Sequence, residues 1–170
     1  ASNREAVANA LRNRKAGFDV QVDDQSDEWA LLAIQGPKAT GILQRLASTD
    51  LAELKYYSIA ESTVAGAAAY LCRTGYTGED GFEVLVPATE AATVWNKILA
   101  EGAGDGLTAA GLACRDTLRL EAGMPLYGHE LDEQHTPIDA GMAKVVRLDE
   151  GHNFVGREAL EKIAEPRERL

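Results

Sequence analysis

The chain has 170 residues with 17 basic and 27 acidic side chains, a formal net charge of -10. That length suits one domain or two small lobes with a substantial core, and the acidic balance disfavours binding to a phosphate backbone. No apolar run approaches the ~18 residues needed to cross a membrane, so the expectation is a soluble cytoplasmic protein with no membrane or nucleic-acid partner.

In chain order, Asn3 is placed to cap a helix running to about Ala16, with Gly17 as its stop. Phe18–Val22 alternates apolar and polar and reads as a strand. Trp29–Ile34 is a continuous apolar run that suits a buried strand, and Pro37 then opens a helix over Lys38–Ala47. Ser58–Val64 and Ala67–Arg73 read as a hairpin turning at Ala65–Gly66, followed by a strand over Phe82–Val86 that Pro87 ends. Helices are expected over Ala88–Glu101, with Val94, Trp95, Ile98 and Leu99 on its apolar side, and over Thr108–Ala122, stopped by Gly123-Met-Pro125. Tyr127–Pro137 is an acidic irregular connection, Ala143–Leu148 a strand and Gly156–Ala164 a last helix. Interspersed elements with more hairpins than crossovers predict an α+β fold with mainly antiparallel sheet. Residues 1–26 and 138–170 read as parts of a second lobe around a main lobe of 27–137.

The richest segment is Arg73-Thr-Gly-Tyr-Thr-Gly-Glu-Asp-Gly-Phe-Glu83, with three glycines and three carboxylates in eleven positions. Glycines let backbone approach a ligand closely. The loop has no lysine for phosphate and is negatively charged, so it matches no phosphate-binding motif. A carboxylate leaving it, Glu83, suits a ligand edge with paired N–H donors such as the amino-pyrimidinone edge of a pterin, and Tyr76 adds a flat apolar face with a polar tip. The same composition equally describes a solvated hairpin loop.

Arg115 and Arg119 lie four apart on the Gly111–Ala122 segment, where like charges repel mildly unless carboxylates compensate. Asp116 and Glu121 are the local partners, and Glu83 is a remote one. This is either a salt-bridged helix or an arginine held for an anionic or carbonyl group. The histidines and acids of His129–His135 match no metal spacing. Cys72 and Cys114 read as structural thiols of a reducing compartment. Tyr56–Tyr57 is either hairpin packing or a ligand platform.

Together, Arg73–Glu83, Gly111–Gly128 and Thr136-Pro137 continuing to Phe154–Leu160 resemble the T-protein of the glycine cleavage system, an aminomethyltransferase. Ala33-Ile-Gln-Gly-Pro37 and Lys55-Tyr-Tyr-Ser58 match as well, so the resemblance covers essentially the whole chain. It implies a folate-binding α+β fold with discontinuous lobes. The implied reaction passes the one-carbon unit of an aminomethyl-dihydrolipoyl arm, carried by the H-protein, to tetrahydrofolate, giving 5,10-methylenetetrahydrofolate and ammonia. By position Glu83 is similar to the family glutamate that grips the pterin, and Arg115 to an arginine that faces the folate. Tyr76 and Tyr56 or Tyr57 resemble cleft-lining aromatics, and Asn3 lies at the end of a cofactor-contacting segment. The family's catalytic aspartate sits in a Gly-Gly-x-x-Asp-Asp segment that these 170 residues lack. The expectation is therefore an internal piece of the enzyme that holds no catalytic residue and is inactive alone. The alternatives are a folate module of a sarcosine or dimethylglycine dehydrogenase or of a folate-dependent demethylase, and a non-catalytic structural core.

Overall fold

The computed structural model describes residues 3–149 and 151–163. The chain divides into two compact units, Ala1–Gly75 with Glu79–Ala109, and Tyr76–Gly78 with Ala110–Leu170.

The first unit is built on one antiparallel sheet, formed by β1 (Trp29–Gln35), β2 (Ile59–Val64), β3 (Ala67–Cys72) and β4 (Gly81–Pro87) in the order β1-β4-β3-β2. The register pairs Glu83 with Ala33 on one side and Cys72 on the other. Helices α2 (Ala39–Gln44) and α3 (Ala91–Gly102) contribute to its core. Ala39, Ile42 and Leu43 of α2 and Val94 and Ile98 of α3 bury with Ile34, Leu71, Phe82, Val84 and Val86 of the sheet. The hairpin turns at Ala65 and Gly66, both at positive φ (54° and 90°), the geometry that suits the right-handed strand twist.

The expected α+β class with antiparallel sheet is what the structure has. The strand over Trp29–Ile34 exists but is two-faced. Ile34 is buried while Leu31 on the opposite face is 53% exposed, because helices cover only one side. Val94 and Ile98 are buried as expected, while Trp95 remains 39% exposed.

Helix α1 (Arg4–Arg14) also belongs to this unit. Asn3 precedes it, but its side chain makes no capping bond; only its carbonyl accepts the Val7 N–H, at 2.9 Å. Arg4 instead ties the helix to the following loop through a two-pronged bond to Asp27, at 2.7 and 2.8 Å. The strand expected over Phe18–Val22 is not formed. Phe18 and Val20 are exposed, and no described strand pairs with the segment. Alternation without a partner satisfies no backbone hydrogen bond. The helix expected from Lys38 is shorter, Ala39–Gln44, and its last turn tightens into i→i+3 bonds at Arg45 and Leu46.

The second unit carries α4 (Leu112–Glu121) and α5 (Arg157–Glu161). Helix α4 starts later than the pattern suggested because Gly111 is extended (φ -84°, ψ 172°) and cannot continue a helix backward. Gly123 in the left-handed region (φ 69°) stops it, as expected. The strand expected over Ala143–Leu148 is replaced by a single turn over Ala143–Val145. Val145 and Val146 donate locally to Met142 and Ala143, leaving no strand geometry. The last helix begins at Arg157 after Gly156 (φ 95°), and its expected end at Ala164 lies outside the described residues.

Phe82 has no exposure and anchors the sheet against its helices. Phe82→Ala is expected to lower unfolding stability by about 3–5 kcal/mol, read as a fall in the urea midpoint at unchanged m-value.

Candidate functional site

The Arg73–Glu83 loop is held at its base, within the first unit, by the side chains of Arg73, Thr40 and Gln35. The Arg73 guanidinium grips Asp80 with both prongs, Nη2 to Oδ2 at 2.7 Å and Nε to Oδ1 at 3.1 Å. It also donates to the Leu54 carbonyl at 2.8 Å and lies 5.6 Å from the Phe82 ring centroid. Thr40 adds a long bond to Asp80 at 3.4 Å. The Gln35 amide donates to the carbonyls of Thr74 (3.1 Å) and Phe82 (3.2 Å), bridging the start and end of the loop. Arg73, as hydrogen-bond donor and cation, holds the Asp80 carboxyl below the usual carboxylate range against a smaller upward push from burial.

Two loop glycines serve this internal packing rather than a ligand. A Cβ on Gly75 would stand 1.7 Å from Gln35 Oε1, and one on Gly81 would stand 2.6 Å from the Ile34 carbonyl oxygen. The expectation that the loop glycines exist to admit a ligand is corrected at these two positions: the Gln35 side chain and the neighbouring strand occupy the space.

Glu83 follows on β4, half-buried, on the face opposite Phe82 and Val84. Its carboxylate makes no hydrogen bond or ion pair with a described residue. Cys72 stands beside it across the register, and its thiol is pushed up first by burial and then by the Glu83 charge. Tyr56 and Tyr57 are exposed, with ring centroids 4.3 Å apart at 60°. Tyr57 is left-handed (φ 61°), and its N–H donates to the Arg73 carbonyl at 2.8 Å. The Tyr56 hydroxyl is pushed up, first by partial loss of solvent and then by the adjacent Tyr57 side chain. Asn3 lines a separate groove with Val7, Leu11, Val22 and Asp24, a groove that none of the other five candidate residues lines.

In the second unit the guanidinium carbon of Arg115 lies 4.7 Å from the Tyr76 ring centroid, a cation–π geometry. The Tyr76 hydroxyl donates to the Met124 carbonyl at 3.3 Å and closely to that of Pro125. Gly78, at φ 80°, lets this segment approach Ala122, the residue that follows α4; a Cβ there would stand 2.9 Å from the Ala122 methyl. Arg115 is exposed and makes no ion pair with another described residue. Arg119 is the buried one, paired with Asp116 (2.8 Å) and Glu130 (2.6 Å) rather than Glu121. Cys114, expected to pack, is exposed on α4. Among the described residues no group of three His, Cys, Asp or Glu side chains is placed to hold a metal, and no helix is long and apolar enough to cross a membrane.

The GCVT N-terminal domain model matches residues 1–150. The chain belongs to this family. It is 53% identical over 164 residues to the aminomethyltransferase of Streptomyces avermitilis, covering 96% of this chain and 44% of that protein. The aminomethyltransferase of Thermoanaerobacter sp. is 48% identical over 97% of this chain and 45% of its own length. The chain thus spans under half the length of these relatives. Among solved structures, the glycine cleavage system aminomethyltransferase T of Bartonella henselae matches with a TM-score of 0.80 at 34% identity, over 98% of this chain and 45% of that one. A heterotetrameric sarcosine oxidase from Corynebacterium sp. U-96 matches with a TM-score of 0.54 at 20% identity, over 62% of this chain and 54% of that one, a likeness of fold alone.

Of the six candidate residues, the structure brings Tyr76 to Arg115 and Tyr56 to Tyr57. Sequence reasoning missed Gln35, Asp80 and Glu130. The signal for the first was available: a glutamine closing an apolar strand, with glycines at both ends of the later loop.

Because the Gln35 amide fills the space beside Gly75, Gly75→Ala forces it out and forfeits two hydrogen bonds, a loss of roughly 1–3 kcal/mol. The Gln35→Ala/Gly75→Ala pair is then expected to be less destabilised than the sum of the singles, measured by chemical denaturation. The Asp80 carboxyl is depressed in the fold, so its stabilising contribution is present above the ordinary carboxylate pKa and is lost as pH falls through the lowered value. The gap in urea midpoint between the parent chain and Asp80→Asn is expected to stay level from about pH 8 to 5 and to close below about pH 4.

Proposed function

We propose that the chain is the cosubstrate-holding part of a tetrahydrofolate-dependent aminomethyltransferase of glycine cleavage. In this reading the longer protein takes the one-carbon unit from the aminomethyl-dihydrolipoyl arm of the H-protein. Tetrahydrofolate accepts that unit as 5,10-methylenetetrahydrofolate, and ammonia leaves.

The observation that carries the reading is the Glu83 carboxylate. It is half-buried on the uncovered face of the sheet and has no partner among the described residues, whereas the neighbouring Asp80 is committed to Arg73. An unpaired carboxylate on a rigid strand offers two oxygens to the paired N–H donors of a pterin edge, so the site suits that group chemically. The role of Glu83 is to bind and orient the pterin. Arg115 stacked on Tyr76 supplies a flat face with one positive charge, suited to an aromatic ligand bearing carboxylates. Tyr56 and Tyr57 are an exposed aromatic pair tied to the loop base, to which we assign a lining role. Asn3 has the weakest claim, since it lies in its own groove. No residue of this chain is assigned a proton transfer.

The relatives' names support the transferase class, since the proteins at 48–53% identity are aminomethyltransferases. The test uses the longer protein that contains this chain, loaded with aminomethylated H-protein and tetrahydrofolate. Folate-dependent ammonia release is expected, and its absence with a properly loaded H-protein would sink the proposal.

Replacing Glu83 with Ala removes one charge-assisted contact, about 1.5–3 kcal/mol. The KM for tetrahydrofolate is then expected to rise about 10- to 150-fold. An unchanged KM would remove Glu83 from the site.

A further inference from the structure

We infer that Arg119 is a positioning residue that sets the Tyr76–Arg115 surface; the inference rests on the folate reading above. Arg119 is 1% exposed and is the largest fully buried side chain among the described residues. Its Nε donates to Asp116 at 2.8 Å, within α4. Its Nη1 donates to Glu130 Oε2 at 2.6 Å and to the Met124 carbonyl at 3.2 Å, across the turn that follows the helix. Glu130 Oε2 in turn accepts the Leu126 N–H at 3.0 Å. The Met124–Leu126 backbone is thereby gripped at a carbonyl and at an amide two residues on.

That backbone is also where Tyr76 is held. Its hydroxyl donates to the Met124 and Pro125 carbonyls, the first of which Arg119 also holds. The face of the same ring carries Arg115, one helical turn before Arg119. Arg115 holds the ring by its face, and Arg119 holds the backbone that receives its hydroxyl. A buried arginine paired with two half-exposed carboxylates is a poor way to gain stability, since apolar residues of equal volume often do better. Its geometric effect here is specific: it fixes two acceptors that orient one tyrosine. Burial works against the Arg119 charge, but the bonds to Glu130 and Asp116 outweigh it and raise the guanidinium pKa.

The experiment uses the longer protein with 13Cζ-labelled tyrosine, the Tyr76 signal being assigned by its loss in Tyr76→Phe. In Arg119→Met the Tyr76 signal is expected to move toward that of a free tyrosine without any folate present. The KM for tetrahydrofolate is expected to rise about tenfold, the effect of one lost hydrogen bond, with kcat within about twofold. Arg119→Lys, which keeps the charge but not the fork, recovers part of both. Adding Arg119→Met to Tyr76→Phe should raise KM little further, since both act through one contact. Should Arg119→Met fail to fold, Glu130→Gln removes the counter-charge at nearly constant shape and should move the same signal in the same direction. An unmoved Tyr76 signal, or an unchanged KM in a folded variant while Tyr76→Phe and Arg115→Ala raise it, overturns the inference. If Tyr76→Phe and Arg115→Ala themselves leave KM unchanged, the assignment of these residues to folate falls, and the role of Arg119 falls with it.

Discussion

Alternation along β4 constrains the placement of Glu83 and of the loop before it. Phe82, Val84 and Val86 have no exposure, so the period of two sends Gly81, Glu83 and Leu85 to the other face. A slip of one residue would bury Glu83 unpaired and expose Phe82, which burial of the core forbids. The position of the carboxylate is therefore a consequence of the hydrophobic core rather than of any bond to the carboxylate itself. The loop before it has little freedom either. Gln35 bridges the carbonyls of Thr74 and Phe82, and Arg73 clamps Asp80, so both ends of the loop are fixed to the same sheet.

The acidic side chains divide into two kinds. Asp80, Asp116 and Glu130 are each matched to an arginine, and the pairs hold backbone in place. Glu83 has no such partner among the described residues. In a chain with ten more acidic than basic side chains, an unpaired carboxylate is common at a solvated surface. It is uncommon half-buried in the middle of a sheet, between Ala33 and Cys72. That contrast is why Glu83, and not the loop's other acids, is the group to which a donor-rich ligand is assigned.

The elements that could be read from the sequence are those whose local signal and tertiary setting agree. The hairpin over β2 and β3 has a two-residue turn between short strands, and α3 has apolar residues at helical spacing; both formed where the pattern placed them. Phe18–Val22 and Ala143–Leu148 had strand-like composition, but a strand also needs a neighbour, and sequence periodicity does not supply one. The site residues split the same way. Glu83 stood out because it leaves a glycine-rich loop into an apolar run. The signal for Gln35 was present but non-local, since its role depends on two glycines 40 and 46 residues further on. Arg115 and Arg119 share a helix face at a spacing of four, so no periodicity argument could tell which would be buried and which would stack on Tyr76.

Tyr57 points the same way as Glu83, by an independent route. A bulky residue in the left-handed region costs on the order of 1–3 kcal/mol, and Tyr57 is 80% exposed, so core burial does not offset that cost. Its N–H bond to the Arg73 carbonyl compensates in part and ties the strained residue to the base of the loop. The geometry presents two aromatic rings outward beside the segment that delivers Glu83. For stability alone, Gly or Asn would suit this backbone better than tyrosine. An exposed aromatic pair held under strain is what a ligand-lining role would retain, and the proposed folate cleft supplies that role.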